Sequence, residues 1–159
     1  MNTFFYQTGI GKIGITEKNG EITNLYFESD GLPPDLHINE TPALREAARQ
    51  LDAYLAGKLK EFSLPLAPEG TVFMKQTWAK LCEIPYGKTA TYNEIAVKTG
   101  SPKASRAVGM ANHRNPIPIF IPCHRVIGSN GKLTGYRGGL ELKKSLLDLE
   151  CTGAEIPSK

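Results

Sequence analysis

The chain has 159 residues, 22% of them charged, and a net charge of +3, which is the composition of an ordinary folded protein with length for one medium domain or two small ones. No apolar run approaches a membrane span, and Met1-Asn2-Thr3-Phe4-Phe5 lacks the basic and apolar regions of a secretory signal, so a cytoplasmic protein with no membrane partner is expected. The three cysteines, Cys82, Cys123 and Cys151, are odd in number and widely spaced, which argues against a disulfide framework, and no Cys/His cluster has zinc spacing, so neither a metal nor a cofactor is expected.

The first segment reads as an antiparallel sheet. Residues 4–7 and 11–16 are short strands, Asn19-Gly20 is a type I′ hairpin dipeptide, and 21–27 returns with Ile22, Leu25 and Phe27. Residues 31–39, with Pro33-Pro34, read as a loop. Thr41 and Pro42 open a helix as N-cap and first helical residue; Leu44, Ala47, Ala48, Leu51 and Leu55 follow at helical spacing, and Gly57 ends it. Phe62, Leu64 and Leu66 alternate and predict one more strand, which Pro65 confines to an edge. Pro68-Glu69-Gly70 is the expected boundary between two domains, 1–69 and 70–159. The first carries 6 Lys/Arg against 10 Asp/Glu, the second 13 against 6. A basic half attached to an acidic half points to a polyanionic partner. The first half shows no catalytic set and reads as scaffold.

The second half is mostly helical. Met74, Trp78 and Leu81 share a helix face that Ile84-Pro85-Tyr86-Gly87 terminates. Thr91 and Glu94 fit a capping box, Ile95, Ala96 and Val97 supply the apolar face, and Gly100 closes that helix. Ser101-Pro102 predicts a second helix over 102–112 with Ser101 as N-cap, giving a helix-turn-helix. That helix is rich in small residues (Ala104, Ser105, Ala107, Gly109, Ala111) with Lys103 and Arg106 as its cations, while Val108 and Met110 are assigned to the core. Such a surface can enter a narrow groove; close packing on another helix is the plainer reading.

Pro116, Pro118 and Pro122 stiffen the apolar stretch before Cys123, so the cysteine is expected on a rigid, extended segment. Cationic neighbours favour the reactive thiolate, which makes Cys123, beside His124 and Arg125, a candidate nucleophile. A structural cysteine next to a surface His-Arg pair is the alternative. Ser129-Asn130-Gly131-Lys132 reads as a turn, and Tyr136-Arg137-Gly138-Gly139 as a flexible loop that exposes its backbone. Leu142, Leu146 and Leu149 mark a last helix with Glu150 at its C-terminus, where a carboxylate opposes the macrodipole unless it has a cationic or hydrogen-bonding partner.

Several runs then fall in register: Ile84-Pro85-Tyr86-Gly87, Thr91-Tyr92, Ser101-Pro102-Lys103-Ala104, Arg106-Ala107-Val108-Gly109, Asn115-Pro116, Ile121-Pro122-Cys123-His124-Arg125-Val126, and Gly135-Tyr136 with Gly138-Gly139. Together they resemble the O6-alkylguanine-DNA alkyltransferases, or methylated-DNA–protein-cysteine methyltransferases. The resemblance implies an α+β fold: a small antiparallel sheet with helices, similar to ribonuclease H, then a winged-helix-like domain with a helix-turn-helix. It implies direct-reversal DNA repair by a monomer without cofactor, in which an alkyl group passes from O6-alkylguanine, or O4-alkylthymine, in double-stranded DNA to Cys123, once per molecule. The base would be flipped out of the duplex from the minor groove, whose degenerate readout suits lesions in any sequence.

By the same resemblance, Cys123 is the alkyl acceptor, His124 its base through a water, and Glu150 the carboxylate that orients His124. Asn115 is the hinge side chain, Tyr92 the hydroxyl donor to the flipped guanine, and Arg106 the finger that fills the gap. DNA contacts extend to Thr91, Ser101, Lys103, Ala104, Ala107 and Arg125, and the alkylguanine pocket to Pro118, Val126, Tyr136, Arg137 and Gly138. Arg137 stands where many relatives have a smaller residue. A non-catalytic winged-helix DNA binder and a Cys-His hydrolase remain as competing readings.

Overall fold

The computed structural model describes residues 1–156; the end of the expected 70–159 domain, residues 157–159, lies outside the described residues. Strands β1 (Asn2–Thr8), β2 (Gly11–Lys18) and β3 (Glu21–Tyr26) form an antiparallel meander in that order. Asn19 and Gly20 take φ of 55° and 83°, as the tight turn between β2 and β3 requires. Helix α1 (Pro42–Leu55) begins where the Thr41 side chain accepts the Leu44 N–H. It lays Leu44, Ala47, Leu51 and Tyr54, all fully buried, over the sheet. Gly57, at φ 76°, follows; a Cβ there would lie 2.3 Å from the Gly153 carbonyl oxygen, so the close approach of the chain's last helix admits glycine alone.

The strand expected over Phe62, Leu64 and Leu66 does not form. The segment touches β3 at one bridge, with Ile22 N–H donating to Pro65 O and Ala67 N–H to Ile22 O, both at 2.8 Å. Pro65 and Pro68 have no N–H to extend the ladder. Phe62 packs instead between Tyr54 and Phe120, at ring separations of 5.1 and 4.8 Å.

The second half is built on α2 (Val72–Cys82), capped by Thr71, whose buried Trp78 donates its indole N–H to Ala111 O at 2.8 Å. Two-residue strands β4 (Ala90–Thr91) and β5 (Val126–Ile127) pair in parallel. Helix α3 (Tyr92–Lys98) carries the capping box of Thr91 and Glu94. Helix α4 (Ser105–His113) completes the helix-turn-helix but starts later than expected. Ala104 N–H donates to Ser101 O, so Ser101 closes a turn and caps nothing, and the first helical bond runs from Val108 N–H to Ala104 O. Val97 and Met110, assigned to the core, are exposed, because Ile95-Ala96 and Val108 with Ala111 set the inward stripe of each helix. Helix α5 (Leu140–Thr152) closes the chain.

One hydrophobic core runs through both halves, and β3 joins them by a backbone bond from Leu25 N–H to Pro116 O at 2.8 Å. No helix is long and apolar enough to cross a membrane among the described residues.

Candidate active site

Cys123 does not sit on an extended segment. It is the first residue of a 3-10 turn (Cys123–Arg125) and is buried. The stiffness before it has two sources. Asn115 donates its amide to Ile121 O at 2.9 Å and accepts the Ile117 N–H at 3.0 Å, clamping both ends of residues 117–121. Ile119, inside the clamp, takes a φ of 76°, a conformation β-branched residues rarely adopt. Cys123 N–H then donates to Ile121 O, while the Asn112 amide donates to Cys123 O.

The thiol is not poised as a thiolate. Burial pushes it up to about 11, and the Asn115 amide with the Arg137 and Lys143 charges offsets only part of that. A base is therefore needed at neutral pH. His124, fully buried, adjoins it in sequence. Burial lowers its proton affinity against the pull of Glu150, so the ring is neutral. Burial alone would raise Glu150, but hydrogen bonds from His124, Arg125 and Tyr54 hold it at about 2, so it is ionised and can only accept. His124 Nε2–H thus donates to Glu150 Oε2 at 2.7 Å, and Nδ1 keeps its lone pair. Nδ1 is buried and has no partner among the described residues.

Glu150 also accepts from Arg125 Nε at 2.8 Å, Arg125 Nη2 at 3.0 Å, Tyr54 OH at 2.5 Å and Gly87 N–H at 3.3 Å. This corrects the DNA-contact role expected of Arg125. Its guanidinium is buried, and the remaining nitrogen donates to Ile84 O at 2.7 Å. A carboxylate inside a core, at the unfavourable end of a helix, demands such a counter-charge.

Cys123 opens onto a cavity of about 10 Å³ lined by Asn112, His113, Asn115, Pro118, Gly135, Tyr136 and Arg137. Pro118, Tyr136 and Arg137 therefore line the same cavity as Cys123. Tyr92, Val126 and Gly138 do not line this cavity. The Tyr92 hydroxyl is hydrogen-bonded to Thr134 Oγ1, and its ring borders a separate open groove of about 380 Å³ with Asn93, Ser105, Arg106, Gly109, Gly128, Ser129 and Thr134. Val126 is buried with its carbonyl facing Lys143. Gly138 is a packing site, since a Cβ there would sit 2.7 Å from Leu142 and 3.1 Å from Phe27. On the outer face, Ser101, Lys103, Arg106 and Ala107 are exposed, while Thr91 and Ala104 are half-buried.

The 6-O-methylguanine DNA methyltransferase domains, ribonuclease-like and DNA-binding, match residues 2–68 and 72–152. The chain belongs to this methyltransferase family. A methylated-DNA–protein-cysteine methyltransferase of Methanosarcina barkeri is 69% identical over 113 residues, covering 71% of this chain and 72% of that one. The constitutive enzyme of that name in Bacillus subtilis is 46% identical over 151 residues, covering 91% and 92%. The crystal structure of Mycobacterium tuberculosis OGT in complex with DNA superposes with a TM-score of 0.92 at 42% identity, over 98% of this chain and 96% of that one.

Two residues of this methyltransferase site escaped the sequence reading. Tyr54 lies on the buried stripe of α1, at helical spacing from Ala47 and Leu51, and its hydroxyl reaches Glu150. Lys143, also fully buried, donates from Nζ to Val126 O at 2.7 Å and to Thr134 O at 3.2 Å, holding the Cys123 turn to the loop that follows. The available signal was a lysine in register with Leu146 and Glu150 on the inward face of α5.

Proposed function

We propose that this protein repairs alkylated DNA by direct reversal, moving the alkyl group of O6-alkylguanine in double-stranded DNA, and of O4-alkylthymine, onto Cys123, once per molecule. The observation that carries the reading is the arrangement behind the thiol: buried Cys123 adjoins buried His124, whose Nε2 lies 2.7 Å from Glu150 Oε2 and whose Nδ1 has no partner among the described residues.

Helix α4, small-sided and cationic, docks in the minor groove, and the target base leaves the stack. Arg106, exposed at the first turn of α4, fills the gap. His124 Nδ1 takes the thiol proton through a water, and Glu150 stabilises the imidazolium that forms. The Cys123 sulfur attacks the alkyl carbon as the bond from that carbon to O6 breaks. The bonding pair leaves with guanine, and a hydrogen bond from the Tyr92 hydroxyl stabilises the ring as charge develops. The proton released by the thiol ends on guanine. The thioether on Cys123 has no route back to a thiol in this scheme, so turnover stops at one. The reading extends to a cytoplasmic monomer, with residues 1–69 as a ribonuclease H-like domain and 70–159 as the DNA-binding alkyltransferase domain.

The test is intact-protein and peptide mass after incubation with a duplex carrying O6-methylguanine. One added methyl on Cys123 is expected, with none in Cys123→Ser, which should still bind the lesion. Transfer to Cys82 or Cys151, unchanged mass in the wild type, or steady turnover of an ester would each overturn the reading.

A further inference from the structure

Residues 136–139, which the sequence predicts to be a flexible loop, are fastened by side chains. Among the described residues the loop backbone bonds only to itself and to the start of α5, through Gly139 N–H to Tyr136 O and Lys143 N–H to Gly139 O. Arg137 does the rest. Its Nη1 donates to Asn115 O at 3.0 Å and its Nη2 to Leu25 O at 2.9 Å, while Nε lies 3.2 Å from Asp30 Oδ1 as an ion pair outside hydrogen-bond geometry. The guanidinium also stacks over Phe27, against which Tyr136 packs edge-on. Asp30 is itself fixed, accepting the Phe27 N–H at 2.8 Å. A side chain from the Cys123 loop is thus bolted to the end of β3 and the residues after it.

The closed loop leaves too little room for the reaction. A cavity of about 10 Å³ holds one water at most. Of the other lining residues, Asn112 is bonded to Cys123 O, and Asn115 and Pro118 are held by the Asn115 clamp on residues 117–121. Closure also leaves the Tyr136 hydroxyl buried without a partner among the described residues, an arrangement that folded proteins rarely tolerate. Opening through residues 135–139 breaks the contacts of Arg137.

We propose that Arg137 is a specificity-determining latch through which Asp30 and Leu25, in the N-terminal half, limit the size of alkyl group that reaches Cys123. The proposal rests on the alkyl-transfer reading for its substrate. A larger group needs the loop displaced further, so the latch penalises it more than a methyl group. Arg137 is suited to this because its planar fork donates to the Asn115 and Leu25 carbonyls while its charge lies beside Asp30, which a lysine cannot do.

Two variants test it, Asp30→Asn, far from the reacting atoms, and Arg137→Lys. The first readout is the ratio of single-turnover rates with duplexes carrying O6-benzylguanine and O6-methylguanine. The second is the rate at which iodoacetamide carbamidomethylates Cys123 without DNA, followed by peptide mass. Both variants should raise the benzyl-to-methyl ratio by about tenfold and speed carbamidomethylation of Cys123. An unchanged or lower ratio, or unchanged trapping, overturns the latch. A wild-type protein that transfers neither alkyl group would defeat the transfer reading instead, and the iodoacetamide rates would still decide whether Arg137 holds the loop shut.

Discussion

Tyr54 and Glu150 stand 96 positions apart, and the Tyr54 hydroxyl donates to Glu150 Oε2 at 2.5 Å. The N-terminal half, read from sequence as scaffold, therefore supplies a donor to the carboxylate that positions His124. Tyr54→Phe should cost on the order of 1.5–3 kcal/mol of stability, as for a hydrogen bond to a charged group, and should slow transfer. Urea unfolding and single-turnover rates check this; no change in either would make the hydroxyl incidental.

Glu150→Gln removes the charge but keeps the shape. Arg125 is then a buried cation without a counter-charge, which destabilises by on the order of 3–5 kcal/mol. The amide can also turn its NH2 toward His124, so the Nε2–H tautomer loses its reason and Nδ1 ceases to be a reliable base. Transfer should slow by at least about tenfold in protein still folded by circular dichroism. A wild-type rate in that folded protein would remove Glu150 from the mechanism.

Stability should fall at both ends of the pH scale. Glu150 is held at about 2 against an ordinary 4.5, so its contribution is complete above pH 4.5 and is lost as pH falls toward 2. His124, lowered from 6.5, adds to the acid loss, because below pH 6.5 the unfolded chain binds a proton that the folded one refuses. Cys123, raised from 9.0 to about 11, acts in the opposite range: between those values the unfolded chain has released its thiol proton and the folded chain has not, so stability drops as pH rises. Urea midpoints at acid, neutral and alkaline pH measure this, and Cys123→Ser should reduce the alkaline limb, to which Cys82 and the buried Tyr54 and Tyr136 also contribute, while leaving the acid limb unchanged.

Arg106→Ala separates base flipping from plain electrostatic attraction. An arginine on a phosphate weakens binding to every DNA and flattens the salt slope by about one contact. A finger that props the duplex open matters only where a base is stacked and paired. The variant should therefore slow transfer from duplex DNA more than tenfold, about 1.4 kcal/mol, with less effect on single strands and little on the free alkylated base. Equal slowing on all three would mean that Arg106 supports the fold or the pocket.

What the sequence made legible follows its local rules. Thr41-Pro42, Asn19-Gly20 and the Thr91–Glu94 box each act within four residues, and each appears in the structure. The motif around Cys123 pointed to the correct neighbours because Asn115, Cys123 and His124 lie close in the chain. Long-range pairing was hidden. Nothing near Arg125 says that its partner is Glu150, and nothing near Arg137 says that Leu25 and Asp30 wait across the sheet. Ser101-Pro102 carried a valid cap signal, but a turn closing on Ser101 O took the backbone first. The thiolate expected from cationic neighbours failed for one reason: burial outweighs charges already committed to other partners.

The tightness around Cys123 also gives a spent molecule a physical signature. On the transfer reading, alkylation would add a carbon to a sulfur that faces about 10 Å³ of space, between the segment clamped by Asn115 and the loop held by Arg137. Overfilling a packed interior costs about 1–3 kcal/mol, a sizeable part of the stability of a small protein. On the transfer reading, a reacted chain should therefore unfold at lower urea than an unreacted one, and should be cut faster by protease.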